Sequence, residues 1–294
     1  MTFLMDMVKG IFIGIANVIH GVSGGTMAVS LGLYDKMIGA ISSLLKDWKK
    51  SLKVLLPIIL GCVVGIVGFT YAIEYLLSNH TFVTCMAFVG LILGGIPLLI
   101  HALRKEIQQS SQKRIGISGI LAFVILFCVA AFLPMLNSDT EVLRTFTATP
   151  GTLISLFLVG VIASATMVIP GVSGSLVMMI LGYYYGIIDT IKLFLDSLKA
   201  LDLTGMWNGA ILLFPFGIGV LLGIFLISKL ITFLFERYGL QTYCAILGLI
   251  AASPFAIFYN TGLFGQLSSL TPVTVILGIL LAVVCAVVTH KMGE

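Results

Sequence analysis

The sequence predicts an all-α polytopic membrane protein built as an inverted-topology repeat. Each copy is a broken re-entrant helical hairpin followed by three transmembrane helices. Three observations carry this. Only 10% of the 294 residues are charged and 59% are apolar, against about 25% and about 45–50% in soluble domains. Apolar runs long enough to cross about 30 Å of hydrocarbon recur along the chain. A Gly-Val-Ser-Gly sequence occurs twice, at 21–24 and 171–174. So few charges cannot clothe a water-facing globule, which excludes a soluble enzyme, a disordered tail and a nucleic-acid reader.

Six runs read as uninterrupted spans: 54–77, 82–101, 115–136, 208–230, 241–259 and 271–290. Two more apolar segments, 3–45 and 152–200, are interrupted by Gly-rich breaks, Gly21-Val-Ser-Gly-Gly-Thr26 and Pro170-Gly-Val-Ser-Gly-Ser175. No cleavable leader is expected, because the early residues lack a small-residue cleavage site. The five cysteines all fall in apolar runs without metal-ligand spacing, so they read as small hydrophobes and neither a metal nor a cofactor is expected.

The breaks belong to an internal repeat. Residues 18–34 match 168–184 at nine of 17 positions, with an offset of 150. Beyond the hairpins the offset becomes 158. Pro57-x3-Gly61-x3-Gly65 then aligns with Pro215-x3-Gly219-x3-Gly223, and Gly90-Leu-Ile with Gly248-Leu-Ile. The organisation is a first repeat over 1–136, an extracytoplasmic linker over 137–151, and a second repeat over 152–294. Three spans per copy invert the second copy.

Charge placement agrees with an inside N-terminus. Lys9, Lys46, Lys49, Lys50, Lys53, Arg104, Lys105, Lys113, Arg114, Lys229, Arg237 and Lys291 then lie inside. Only Arg144, Lys192 and Lys199 lie outside, as the positive-inside rule requires. Both termini are therefore expected on the cytoplasmic side. Inverted repeats with broken helices near the midplane are the plan of secondary transporters.

A surface helix is expected after each hairpin. In the first copy Met37, Ile41, Leu44, Trp48 and Leu52 recur at helical spacing. In the second, Asp189, Lys192, Asp196 and Lys199 form a polar stripe suited to i,i+3 pairs. Trp48 and Trp207 are placed in opposite aromatic belts.

Irregular backbone at membrane depth survives only when buried in protein or facing a wet cavity. Each break also exposes the start of a following helix, expected near Thr26 and Ser175, where free N–H groups and the helix dipole favour an anion. Asn17, His20, Gly21, Ser23, Gly24, Gly25 and Thr26 from the first break, with Gly171, Ser173, Gly174 and Ser175 from the second, form the candidate binding set. In an inverted repeat they meet as one anion cradle. The Gly61-x3-Gly65 and Gly219-x3-Gly223 pairs read instead as close helix packing.

Two titratable residues are candidates for coupling. His20 sits at the first break and ionises near neutral pH; Glu74 lies toward the outer end of its span. A coupling ion, proton or sodium, stays open. Asp35 and Lys36 read as a solvated pair near the interface. The basic loop of Arg104, Lys105, Lys113 and Arg114 reads as a topology signal or a recruiter of anionic membrane lipids. Tyr34 and Tyr184, related by the repeat, read as wall packing.

Gly14-Ile-Ala-Asn17, His20-Gly-Val-Ser-Gly-Gly-Thr26 and Pro170-Gly-Val-Ser-Gly-Ser175 together resemble the polyprenyl-phosphate transporter family of bacterial and archaeal membranes. That family carries two Pro-Gly-Val-Ser-Gly-type motifs in inverted repeats, and the likeness runs the length of the chain. His20 departs from it, standing where the pattern has proline. The resemblance implies return of undecaprenyl phosphate, the carrier lipid of wall synthesis, to the inner leaflet of the plasma membrane. It implies a polyprenyl-phosphate lipid as partner and no nucleic acid.

On the residues alone, a small-anion transporter or channel using the same cradle stays open beside the lipid carrier. Lateral openings between spans favour the lipid, a sealed polar vestibule the ion. A lipid phosphatase is disfavoured, since phosphoryl chemistry wants a nucleophile or metal with fixed cations. The breaks supply neither.

Overall fold

A computed structural model describes residues 2–18, 22–109, 114–136 and 146–293. Among them the chain is helical, with no strand. The helices are α1 (Thr2–Val18), α2 (Gly24–Ser30), α3 (Tyr34–Ser42), α4 (Trp48–Asn79), α5 (Thr81–Gly94), α6 (Ile96–Gln109) and α7 (Ile117–Phe132). They continue as α8 (Pro150–Val168), α9 (Gly174–Ile180), α10 (Tyr184–Ala200), α11 (Leu203–Asn260), α12 (Leu263–Gln266) and α13 (Pro272–Gly293).

All six expected spans are present, the 82–101 run as α5 and α6 with a turn at Gly95 between them. Helix α11 holds two of them. At 58 residues and about 1.5 Å per residue it is far longer than one crossing. It divides at Tyr238, whose φ of −134° and ψ of 40° are not helical. Large apolar side chains cover the outside of the bundle, among them Tyr71, Leu121, Phe214 and Leu221. In water that surface would be untenable, and in lipid it is required.

The duplicated sequence adopts duplicated structure. Ser23 and Ser173 occupy the N-cap positions of α2 and α9 with nearly the same dihedrals (φ −96°, ψ 125° and φ −98°, ψ 121°). Both helices are seven residues long. Gly32 and Gly182 end them at φ 68° and 72°, a left-handed turn that only glycine makes freely. Helices α3 and α10 then start at Tyr34 and Tyr184. Between α9 and α10 the chain bends by 108°.

Glycines set the helix pairs. Helix α1 lies on α4, where a Cβ on Gly10 or Gly14 would strike the carbonyl oxygens of Ile58 and Cys62. One on Gly61 or Gly65 would strike those of Met7 and Ile11. Helix α8 lies on α11 in the same way, through Gly160 against Phe216 and Gly219 against Phe157. The copies are also exchanged: Gly90 of α5 abuts Ala282 of α13, while its repeat partner Gly248 of α11 abuts Phe123 of α7. Lipid tails give no hydrophobic drive to such contacts, so backbone approach through small residues supplies it.

The first surface helix is shorter than its apolar periodicity suggests. Helix α3 stops at Ser42, residues 43–46 turn, and Asp47 caps α4 by accepting from the Lys50 amide (3.4 Å). Trp48 therefore opens the span rather than sitting within a surface helix, because Asp47 supplies a better helix start than the pattern of Leu44 and Leu52 supplies continuity. In the second copy α10 is continuous, with Lys192 on Asp189 (3.7 Å) and Lys199 on Asp196 (3.2 Å) as i,i+3 pairs.

Candidate functional site

The two breaks meet at one partly open cavity of about 300 Å³. Asn17, Val22, Ser23 and Gly24 line it from the first copy, and Met167, Val172, Ser173, Gly174, Ser175 and Met178 from the second. Ile66 of α4 completes the wall. Among the described residues the lining carries no charged side chain.

Local chemistry explains why each group is there. An N-cap serine ordinarily turns its hydroxyl onto an amide of the first helical turn. Neither Ser23 nor Ser173 does so. The first amides paired within the short helices are those of Met27, on the Ser23 carbonyl (3.2 Å), and Val177, on the Ser173 carbonyl (3.1 Å). Amides before them have no intrahelical acceptor, as at any helix start. Ser23 Oγ is buried with no hydrogen-bond partner. Ser173 and Ser175 share a hydrogen bond of 2.8 Å. Asn17 donates through Nδ2 to the Ile13 carbonyl (2.9 Å) one turn back in α1. A side chain on Gly24 would collide with Asn17, and one on Gly174 with Met167.

Three expected site residues fasten the breaks together rather than line the cavity. The Gly171 N–H donates to Thr26 Oγ1 across the copies (2.6 Å), and Thr26 is completely buried. Gly171 has φ 79°, and a Cβ there would lie 2.8 Å from Leu249. Gly25 lets α2 approach the end of α8, where the Met167 and Val168 carbonyls would be 3.2 and 3.1 Å from a Cβ. His20 and Gly21 lie outside the described residues. Glu74 is exposed on α4, eight residues or about 12 Å of helix beyond Ile66, and the structure does not bring it to the cavity.

Seven residues make a weak dipole, so hydroxyls and unpaired amides carry more of the site's polarity than helix ends do. Away from the cavity, the expected Asp35–Lys36 pair is absent. Lys36 pairs with Asp6 of α1, while Asp35 accepts from the Tyr243 hydroxyl of α11 (3.3 Å). Lys9 donates to the Leu31 carbonyl at the end of α2 (2.9 Å).

The sequence reading missed the apolar wall. Met167 could have been found from the repeat, since at an offset of 150 it replaces Asn17. Nothing local marks Ile66 or Met178.

By class, this is a polytopic helical membrane protein in which two broken helices meet at an uncharged, hydroxyl-lined cavity. The chain belongs to the undecaprenyl phosphate translocase-like family, whose model matches residues 13–263. It is similar to a polyprenyl-phosphate transporter of Staphylococcus aureus, 28% identical over 255 residues that cover 86% of each chain. It is also similar to a polyprenyl-phosphate transporter of Vibrio cholerae, 30% identical over 264 residues covering 85% of this chain and 76% of that one. The family and both relatives are named for transport, not for catalysis. No solved structure matches the chain.

Proposed function

We propose that the protein moves polyprenyl phosphate, undecaprenyl phosphate in particular, across the cytoplasmic membrane by alternating access, with the phosphate held between the paired breaks. The observation that carries this is the cavity shared by both breaks, with Ser23, whose buried hydroxyl has no hydrogen-bond partner, among its lining residues. The names of the two relatives support the substrate. A charge in hydrocarbon costs several kcal/mol or more, while the lipid's chain is already in an apolar medium. Only the headgroup needs a path. Serine hydroxyls, the Asn17 amide and unpaired backbone N–H groups are donors of the kind that cradle a phosphate. The absence of a fixed cation from the described lining keeps release easy.

The repeat is inverted in this reading, with both termini cytoplasmic. Matching local structures are then packed differently. Every residue of α2 is buried, whereas only Gly174 and Leu176 of α9 are. This asymmetry is what one frame of a rocking cycle contains: one side closed over its hairpin, the other loosened. The Asp6–Lys36 and Asp35–Tyr243 contacts close the cytoplasmic end in this frame. The inward-open partner of the cycle exchanges the two environments. The exposed lining residues Asn17, Ile66 and Met167 open the cavity toward lipid, which favours the lipid over a small anion.

Reconstitution in liposomes tests this, with the phosphate of polyprenyl phosphate labelled and its accessibility followed from each side. Transbilayer movement of the lipid is expected, without chloride or inorganic phosphate flux. Anion flux without lipid movement defeats the proposal.

A further inference from the structure

Resting on that reading, we infer that the lipid's chain leaves the cavity sideways through a slot between α4 and α8, past Ile66 and Met167, and that Met167 and Met178 seat its first isoprene units. About 300 Å³ is at the bottom of the range of small-molecule pockets, roughly 300–1,000 Å³. A phosphate with one or two isoprenes fills it, and the rest of a polyprenyl chain must go elsewhere. The lining shows where. Its hydroxyls and amides come from the breaks, while Ile66, Met167 and Met178 form an apolar side. Ile66 is 42% exposed and Met167 47%. They stand among outward-facing neighbours, Val63 and Val67 on α4 and Leu158 and Ile162 on α8, so the mouth of the cavity opens directly onto the lipid-facing surface.

Packing leaves the slot free. Helix α4 rests on α1 through Gly61 and Gly65, and α8 on α11 through Gly160. Each helix is thus committed to its own partner, and the two flank the cavity from opposite sides. The repeat does not supply a second slot. Ile224, offset by 158 from Ile66, packs against the main core, and Asn17 takes the place that Met167 holds in the other copy. Polar and apolar faces of the cavity are therefore distinct: Asn17, Ser23, Ser173 and Ser175 face headgroup, and Ile66, Met167 and Met178 face chain. Methionine suits this job, since its flexible, polarisable thioether adapts to a methyl-branched, mobile chain without demanding one shape. Because the chain gains nothing by moving from lipid to an equally apolar slot, the slot grants passage rather than affinity.

Two measurements test the slot. In wild-type protein reconstituted with a polyprenyl phosphate bearing a photoreactive diazirine on the isoprene nearest the phosphate, label is expected on peptides holding Ile66, Met167 or Met178. Label confined to α5, α7 or α13 overturns the inference. In liposomes, Ile66→Trp and Met167→Trp, both at exposed positions, are expected to slow transbilayer movement of undecaprenyl phosphate at least tenfold. Trp variants that keep pace with a wild type that moves the lipid overturn the slot and leave the transport reading standing. A wild type that moves no lipid defeats both.

Discussion

Ser23→Ala separates a binding hydroxyl from a structural one. A buried serine normally contributes to folding through its hydrogen bond, but Ser23 Oγ makes none. Deleting it removes no bond from the fold and relieves a buried polar atom that goes unsatisfied. Such an atom costs about 1–3 kcal/mol. Stability is therefore expected to be unchanged or to rise. Against a phosphate, the same hydroxyl makes a hydrogen bond to a charged group, worth about 1.5–3 kcal/mol. At about 1.4 kcal/mol per factor of ten, its loss lowers headgroup affinity about 10- to 150-fold. The assay pairs thermal unfolding in detergent with lipid movement in liposomes, at subsaturating lipid. A variant of wild-type or higher Tm with transport reduced at least tenfold fits the reasoning. Wild-type transport refutes it, and so does a fall in transport that merely tracks a fall in folded protein.

Other changes probe the joint between the copies. Thr26→Val keeps shape but strands the part-buried Gly171 N–H, costing at most about 3 kcal/mol; the Tm should fall, and Thr26→Ser should restore most of it. Gly171→Ala imposes a side chain at φ 79°, about 1–2 kcal/mol of left-handed strain, together with a collision at Leu249; folded yield in membranes should drop. Lys36→Met leaves Asp6 unpaired, and because Lys36 is 41% exposed the loss should stay below the about 3–5 kcal/mol of a fully buried pair. Adding Asp6→Asn should recover most of that Tm, and a double variant no more stable than Lys36→Met alone would deny the pair its role.

Spans and breaks were legible because the bilayer leaves few alternatives. A run such as 54–77 has to be a helix, and Gly-Val-Ser-Gly inside an apolar segment has to break one. The repeat extended that reading, since an offset of 150 carried Ser23 onto Ser173 and both took the same backbone conformation. Boundaries were less legible where two local signals competed, as at Asp47, whose capping ended the helix that Leu44 and Leu52 would have continued. Partner choice was not legible at all. Lys36 chose Asp6, 30 residues away, over its neighbour Asp35, and Thr26 bonded Gly171 across 145 residues. Such pairings depend on how the copies dock, which periodicity does not encode. The apolar wall was missed for the same reason: in a chain that is 59% apolar, Ile66 and Met178 look like any other lipid-facing residue.

The asymmetry of the pair has a functional reading as well. A perfectly symmetric cradle would present identical donors from both copies and have no place for a chain. In the proposed reading, the replacement of Asn17 by Met167 in the second copy gives the cavity a place for the chain beside its headgroup donors. In that reading pseudo-symmetry serves the rocking motion, and its local violation serves recognition of an amphipathic substrate.

The most direct test of the account is an experimental structure with polyprenyl phosphate bound. The phosphorus is expected between the two breaks, with phosphate oxygens in hydrogen-bonding reach of Ser23 Oγ and of donors in the 173–175 segment. Phosphate density at the basic loop around Arg104 and Lys105, with the cavity between Ser23 and Ser173 filled only by side chains, would contradict it.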